Sequence, residues 1–318
     1  MMKPVNLAIF SSRESSAELV KTIHSAIAAV PDNSLIDILI NGNLALSRDI
    51  ASVLSHEKVR PCHTIRVWHI PAADKANAWN QHIHSISDMD MDCVYIDGYV
   101  QLRRDAITKL QETLASHPGA LGSSGAPSTG WSAKAITATM KADGGFHGNL
   151  CAITANALSQ MRKAGIRIPL GMYRVDALMG AYLSFGLANT NRTWSPKEHV
   201  PVTFDATWHC RSKKWYSLQD INAWLKRRER QVRGKVENAA IKQLFVHEGI
   251  RLEDIPRDVA QLSRNWITSK QFSQHDKKFR AAINHLTSYT PPRPDDLKPI
   301  KIYDSSATHG PHSLTDKK

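Results

Sequence analysis

Short apolar runs alternate with longer amphipathic stretches along the first two-thirds of the chain. VNLAIF (5–10), LIDILI (35–40), TIRVWHI (64–70) and CVYID (93–97) are strand-length apolar segments. Between them, SSRESSAELVKTIHSAIAAV, LSRDIASVLS and the stretch beginning at Lys75 carry helical spacing, and LRRDAITKLQETLASH (102–117) follows the fourth run. Ser11 or Ser12 is predicted to cap the first helix, with Glu14 in its first turn. Pro31-Asp32-Asn33 and Asn41-Gly42-Asn43 read as turns. This order predicts an α/β domain with a mixed, mainly parallel sheet and helices on both faces.

The pattern then loosens. GSSGAPSTGWS (122–132) is rich in Gly, Ser and Pro and reads as loop. GNLCAITANALSQMRKAG predicts a strand running into a helix, and IPLGMYRVDALMGAYLSFG (168–186) a loop followed by a helix. From about Ser217 the chain turns helical and basic, and after Ser288 it becomes proline-rich and then polar. Three parts are therefore expected: an α/β domain over 1–215, a basic helical extension over 216–288, and a poorly ordered tail over 289–318. No internal repeat is visible.

Parallel α/β sheets bind ligands beyond the carboxyl ends of their strands. That rule directs attention to Ser11, Arg13 and Glu14 after the first run, Asn41 and Asn43 after the second, and Asp97 and Tyr99 after the fourth. Lys75 and Asn80 join them from the intervening helix.

Lys75-Ala76-Asn77-Ala78-Trp79-Asn80, then Val94-Tyr95-Ile96-Asp97 and a helix of the type Leu102 to Leu114, resemble the family 2 glycosyltransferases. Gly148-Asn149-Leu150 resembles that family's acceptor-side segment, and Pro169 to Asp176 its acidic loop before a helix. The resemblance covers roughly residues 4 to 215. It implies the GT-A fold, a Rossmann-like nucleotide-diphospho-sugar transferase architecture, here with a C-terminal helical extension. It also implies transfer of a sugar from a nucleotide-sugar donor to a hydroxyl of a carbohydrate or lipid-linked acceptor, with inversion, in surface polysaccharide or glycolipid assembly. Under it Asp176 is the catalytic base. Ser11, Arg13, Glu14, Asn41, Asn43, Lys75, Asn80, Asp97 and Tyr99 line the donor pocket. Asp97, with His209, holds Mn²⁺ or Mg²⁺, both of which prefer oxygen ligands.

Three departures from the family pattern matter. The acidic D-x-D is Asp97-Gly98-Tyr99, so the second carboxylate is missing and metal binding is expected to be weakened. The base-reading aspartate after the second strand is replaced by Asn41-Gly42-Asn43. Val175 stands beside Asp176 where the family has an acidic pair. A GT-A domain that has lost catalysis and serves as a binding or scaffold module is thus a competing reading. The bland alternatives are a turn-capping Asp97, a solvated Lys75, a helix-terminal Asn80, a helix-capping Asp176, a packed His209 and a first-turn Glu14.

Composition changes the picture in one respect. The 318 residues carry 41 Lys and Arg against 29 Asp and Glu, a formal charge of +12. Lys226-Arg227-Arg228-Glu229-Arg230-Gln231-Val232-Arg233-Gly234-Lys235 concentrates six of these cations, just after Trp215, Tyr216 and Trp224. Arg227, Arg228, Arg230 and Arg233 are expected to meet an anionic membrane surface, the donor diphosphate or an anionic acceptor, unless they form a solvated charged face. Net charge alone supports a nucleic-acid-binding reading, but no nucleic-acid motif accompanies it, and no such partner is expected. No apolar run reaches membrane-spanning length, and the N-terminal stretch lacks signal-peptide character. The expected location is cytoplasmic, with peripheral contact at the inner membrane face. Cys62, Cys93, Cys151 and Cys210 are far apart and form no CxxC pair, so they suggest neither a zinc site nor a disulfide framework and are expected to be reduced and mostly buried.

Overall fold

The computed structural model describes residues 2–56, 62–129, 132–189, 193–210, 218–269 and 277–307. Among the described residues, nine strands form one mixed sheet in the order β5-β8-β6-β7-β4-β1-β2-β3-β9. They are β1 (Val5–Ser11), β2 (Leu35–Asn41), β3 (Thr64–Ile70), β4 (Asp92–Asp97), β5 (Val100–Leu102), β6 (Gly122–Pro127), β7 (Cys151–Ile153), β8 (Val202–Cys210) and β9 (Ile300–Asp304). The helices are α1 (Ser16–Ala29), α2 (Leu44–His56), α3 (Lys75–Gln81), α4 (Ala106–Ser116), α5 (Ala133–Asp143) and α6 (Ala155–Ala164). They continue with α7 (Val175–Ser184), α8 (Pro196–His199), α9 (Leu218–Ile241), α10 (Val259–Ser269) and α11 (Lys277–Thr287).

The four apolar runs become β1 to β4 and pair in parallel, with β1 between β2 and β4. Every residue of β1 is buried because both sheet faces are covered. Its alternation divides the core: Val5, Leu7 and Ile9 pack toward α1, α2 and α4, while Ala8 and Phe10 pack toward α3, α6 and α7. The second face also receives α9, α10 and α11 through Val236, Ala240, Leu262 and Leu286. Chain order reverses between β1 and β4, which places a topological switch point beside Ser11 and Asp97.

Five local expectations are corrected. The first helix starts at Ser16 and its cap is Ser15, whose hydroxyl accepts from the Glu18 amide. Glu14 lies before the helix, because its carboxylate closes the preceding turn by accepting from Ser11 Oγ and the Ser12 and Arg13 amides. The helix expected from residue 102 begins at Ala106, since Val100–Leu102 pairs antiparallel with β8. Gly122–Pro127, read as loop, is an interior strand. Its small residues fit the crowding there: a Cβ at Gly122 would lie 2.5 Å from the Ala152 carbonyl oxygen, and one at Gly125 2.6 Å from that of Ala206. Finally, part of the tail expected to be poorly ordered is built into the sheet: β9 pairs antiparallel with β3, and Ser305 exchanges hydrogen bonds with the Ile65 backbone. Paired backbone and partly buried Ile302 and Tyr303 outweigh the polar composition of that stretch.

Candidate functional site

The switch point carries a cluster of polar groups on an aromatic floor. Phe10 of β1, Trp79 of α3 and Tyr95 of β4 stack, with ring centroids 5.2 Å (Phe10–Trp79), 5.9 Å (Phe10–Tyr95) and 4.3 Å (Trp79–Tyr95) apart. Each ring lies close in sequence to a polar residue of the cluster: Ser11, Lys75 and Asp97. Asp74 caps α3 by accepting from the Asn77 amide at 3.1 Å, which fixes the first turn that holds Lys75.

Lys75 Nζ forms an ion pair with Asp97 Oδ1. The other carboxylate oxygen, Oδ2, accepts from the Tyr99 hydroxyl at 3.0 Å. Asn149, oriented so that both ends of its amide are satisfied, donates to Asp97 Oδ2 at 3.1 Å and to Tyr99 Oη at 3.2 Å, and accepts from Trp208 Nε1 at 3.3 Å. Gly98 lets this strand end approach β1, because a Cβ there would lie 2.8 Å from that of Ser11. Asp176 closes the group from the start of α7. Its Oδ2 faces the Gly148 amide at 3.4 Å, its Oδ1 accepts from the Ala177 amide at 3.0 Å, and a Cβ on Gly148 would come within 3.0 Å of it.

Burial pulls the Lys75 ammonium down, but the charge and hydrogen bond of Asp97 outweigh it. With Asp176 adding to the effect, the lysine pKa sits above its ordinary value. The Asp97 charge, with burial, holds the Tyr99 phenol well above the usual tyrosine range, so at neutral pH it remains a donor. The cluster is thus a fixed cation between two carboxylates, with neutral donors around it.

The other expected pocket residues divide. Asn41 Nδ2 donates to the Ser11 carbonyl at 3.1 Å, and Asn43 Nδ2 to the Ser12 carbonyl at 3.0 Å, so both brace the loop after β1. Asn43 also caps α2 through Leu46. Glu14 is turned back on its own loop, and Arg13 is exposed beside it. Asn80 is not brought to the cluster. It is buried and exchanges two hydrogen bonds with the Ile168 backbone, at 2.8 and 2.9 Å, tying α3 to the chain before α7.

His209 is not brought to the cluster either. Trp208 and Cys210 contact Asn149, and alternation along β8 sends His209, between them, to the opposite and exposed side. The donor set therefore fits a divalent cation poorly. Asp97 is the one carboxylate at the end of β4, and both of its oxygens already meet donors, one of them an ammonium.

The basic helix α9 meets the loop before α7. Glu237 is buried and accepts from the Tyr173 and Arg174 amides at 3.0 and 2.9 Å. Burial raises its carboxyl above the ordinary range against these two hydrogen bonds. A Cβ on Gly234 would lie 2.7 Å from Arg174 Nε, so the helix passes close over Arg174. Arg230 stands over the Tyr173 ring at 5.9 Å, and Arg233 lies near Glu237. Arg228 is exposed, and the Arg227 side chain lies outside the described residues. From the other side Asp74 Oδ2 accepts from the Gly171 amide at 2.7 Å and the Tyr289 hydroxyl at 2.9 Å. Sequence reasoning passed over Asn149 as a ligand of Asp97, and Trp208, Glu237 and Tyr289 altogether. The Gly148-Asn149-Leu150 segment was the one available signal.

No profile of a known protein family matches the chain, and no curated protein sequence matches it. Among solved structures, the fold is similar to that of the mannosyltransferase PcManGT from Pyrobaculum calidifontis, solved in complex with GDP-Man and Mn²⁺. The TM-score is 0.53 at 12% identity, over 90% of this chain and 84% of that one. No described helix is long and apolar enough to cross a membrane. The chain has a mixed α/β fold with helices on both faces of its sheet, similar to the fold of that mannosyltransferase.

Proposed function

We propose that the protein is a GT-A glycosyltransferase of family 2 type that moves a sugar from a nucleotide-sugar donor to a hydroxyl acceptor. The observation that carries this reading is the convergence of Lys75, Asp97, Tyr99, Asn149 and Asp176 at the switch point of a glycosyltransferase fold. The complex of PcManGT with GDP-Man supports a nucleotide-sugar as the ligand class.

In this reading the donor diphosphate lies across the carboxyl ends of β1 and β4. Lys75 contributes the positive charge that stabilises the departing nucleoside diphosphate, a task well suited to a fixed cation in a partly dehydrated site. Asp97 holds that ammonium in place, and Tyr99 and Asn149 hold Asp97. Mn²⁺ or Mg²⁺ would supply the same charge in relatives with two carboxylates; here one carboxylate bound to lysine leaves little for an ion to displace. Asp176 accepts the proton of the acceptor hydroxyl while its oxygen attacks the anomeric carbon from the face opposite the leaving group, giving inversion. The Ala177 amide, donating to Oδ1 at 3.0 Å, orients its carboxylate at the start of α7. The α9 arginines beside Tyr173 are suited to an anionic acceptor or an anionic membrane surface, where surface polysaccharide or glycolipid is assembled.

The test is turnover with a panel of nucleotide-sugars, comparing wild type with Asp176→Asn. Asn has similar capping ability but cannot take the proton. The variant is expected to fold and bind donor normally while losing on the order of 10² to 10⁴ in rate. The occupied Asp97 also favours a second reading, a GT-A module that binds without catalysis. Equal turnover by the two proteins removes Asp176 as base, and donor binding with no turnover by either selects the second reading.

A further inference from the structure

At the opposite end of the sheet, the entries to β2 and β3 bring three different ligand types together. Asp32 lies in the turn between α1 and β2, and Cys62 and His63 directly precede β3. The carboxylate, thiol and imidazole ligand atoms all lie within 4.8 Å of one another. The two chain segments are locked together by backbone. The Asn33 amide donates to the Cys62 carbonyl at 2.7 Å, and the Thr64 amide to the Ser34 carbonyl at 3.2 Å. Asn33 adopts a left-handed φ of 62°, which turns the chain sharply after Asp32. Ser34 adds a brace by accepting from the Val5 amide at 3.1 Å and donating to the Pro31 carbonyl at 2.6 Å.

We propose that Asp32, Cys62 and His63 form a binding site for a zinc-type divalent cation. One sulfur, one nitrogen and one oxygen ligand suit a borderline-soft ion and not Mg²⁺ or Ca²⁺, which select all-oxygen sets. Ligands about 2.0 to 2.3 Å from a tetrahedral ion stand about 3.3 to 3.8 Å apart. Closing from the present spacing therefore needs side-chain movements of about 1 Å. Charge balances: the Cys62 thiol releases its proton to solvent on binding, so thiolate and carboxylate together neutralise the ion while His63 stays neutral. Water fills the fourth position. His63 is buried, Cys62 half-buried and Asp32 exposed, which gives a fixed inner ligand and an open approach. A bound ion would fasten the entry of β2 to that of β3, and the site is independent of the chemistry at Asp97.

Titration of the full chain with Co²⁺ under reducing conditions tests this. One equivalent is expected to produce a thiolate-to-cobalt charge-transfer band with tetrahedral ligand-field absorption, and Zn²⁺ should displace it and raise Tm. Cys62→Ser is expected to abolish the band, and Asp32→Asn, at an exposed position, to weaken binding at least tenfold. Cys93, a fully buried thiol pushed up to about 12, serves as an internal control that should not respond. Absence of the band in wild type, its persistence in Cys62→Ser, or an Asp32→Asn curve overlaying wild type would each overturn the assignment.

Discussion

Asp37 of β2 gives the sharpest stability prediction. Its side chain is fully buried and accepts from Asn6 Nδ2 at 2.7 Å, Arg66 Nε and Nη2 at 2.7 and 2.8 Å, and Trp68 Nε1 at 2.7 Å, with His82 Nε2 at 3.4 Å. Burial alone would raise the carboxyl, but His82 and Arg66 overcome it and hold the pKa at about 2 instead of 3.8. Because the folded value is depressed, the native state is stabilised wherever the unfolded aspartate is ionised. That contribution is complete above about pH 4 and disappears as pH falls through about 2. The drop from 3.8 to about 2 corresponds, at about 1.36 kcal/mol per unit, to about 2 kcal/mol. Arg66 Nη2 also reaches the Ile86 carbonyl at 3.3 Å, so the network anchors the segment following α3, the helix that carries Lys75. The perturbation is Asp37→Asn, and the assay is urea denaturation at a series of pH values from 6 to 2. At pH 6 the variant should be destabilised by about 3 kcal/mol or more, since Arg66 loses its buried counter-ion. Towards pH 2 that gap should shrink by about 2 kcal/mol, because wild type loses what the variant never had. A gap that stays constant across the series would refute the reasoning.

Three further outcomes follow. Glu237→Ala leaves the Tyr173 and Arg174 amides without their acceptor and should cost about 2 to 4 kcal/mol by thermal or urea unfolding, whereas Glu237→Gln, retaining one acceptor oxygen, should cost about half as much. Gly171→Ala forces a side chain at φ 78° to within 2.5 Å of the Tyr289 ring, so it should destabilise by at least about 1 kcal/mol, and Tyr289→Ala should relieve part of that loss in the double variant. Replacing Arg228, Arg230 and Arg233 with Gln should reduce binding to anionic vesicles and flatten its salt dependence, at about 1 kcal/mol per near-surface cation; equal vesicle binding by both forms removes the membrane reading.

The parallel core was legible because four apolar runs separated by helical periodicity admit few other arrangements, and β1 to β4 fall where those runs predicted. The edge of the sheet was not. Gly122–Pro127 is a strand because its neighbours leave no room for larger side chains, and that crowding is a tertiary fact. Ile300–Asp304 is held by a partner more than 230 residues away in sequence, Ile65 with Ser305, which local composition cannot reveal. Lys75 and Asp97 were identifiable as a pair of types, but their direct ion pair was not. His209 and Asn80 carried suggestive side chains at suggestive positions, and strand alternation and a backbone partner at Ile168 gave them other surroundings. Glu237 lacked any local signal, since a glutamate in a basic helix reads as solvated until the loop it anchors is seen.

The central claim is that a nucleotide-sugar binds at the carboxyl ends of β1 and β4 with Lys75 supplying its counter-charge. A crystal structure of the protein soaked with a nucleotide-sugar and EDTA tests it most directly. The account predicts the diphosphate within hydrogen-bonding distance of Lys75 Nζ, beside Asp97 and Tyr99, with no ion between them. Diphosphate bound elsewhere on the chain, or bound at Asp97 only when Mn²⁺ is supplied and bridging to the carboxylate, would contradict it.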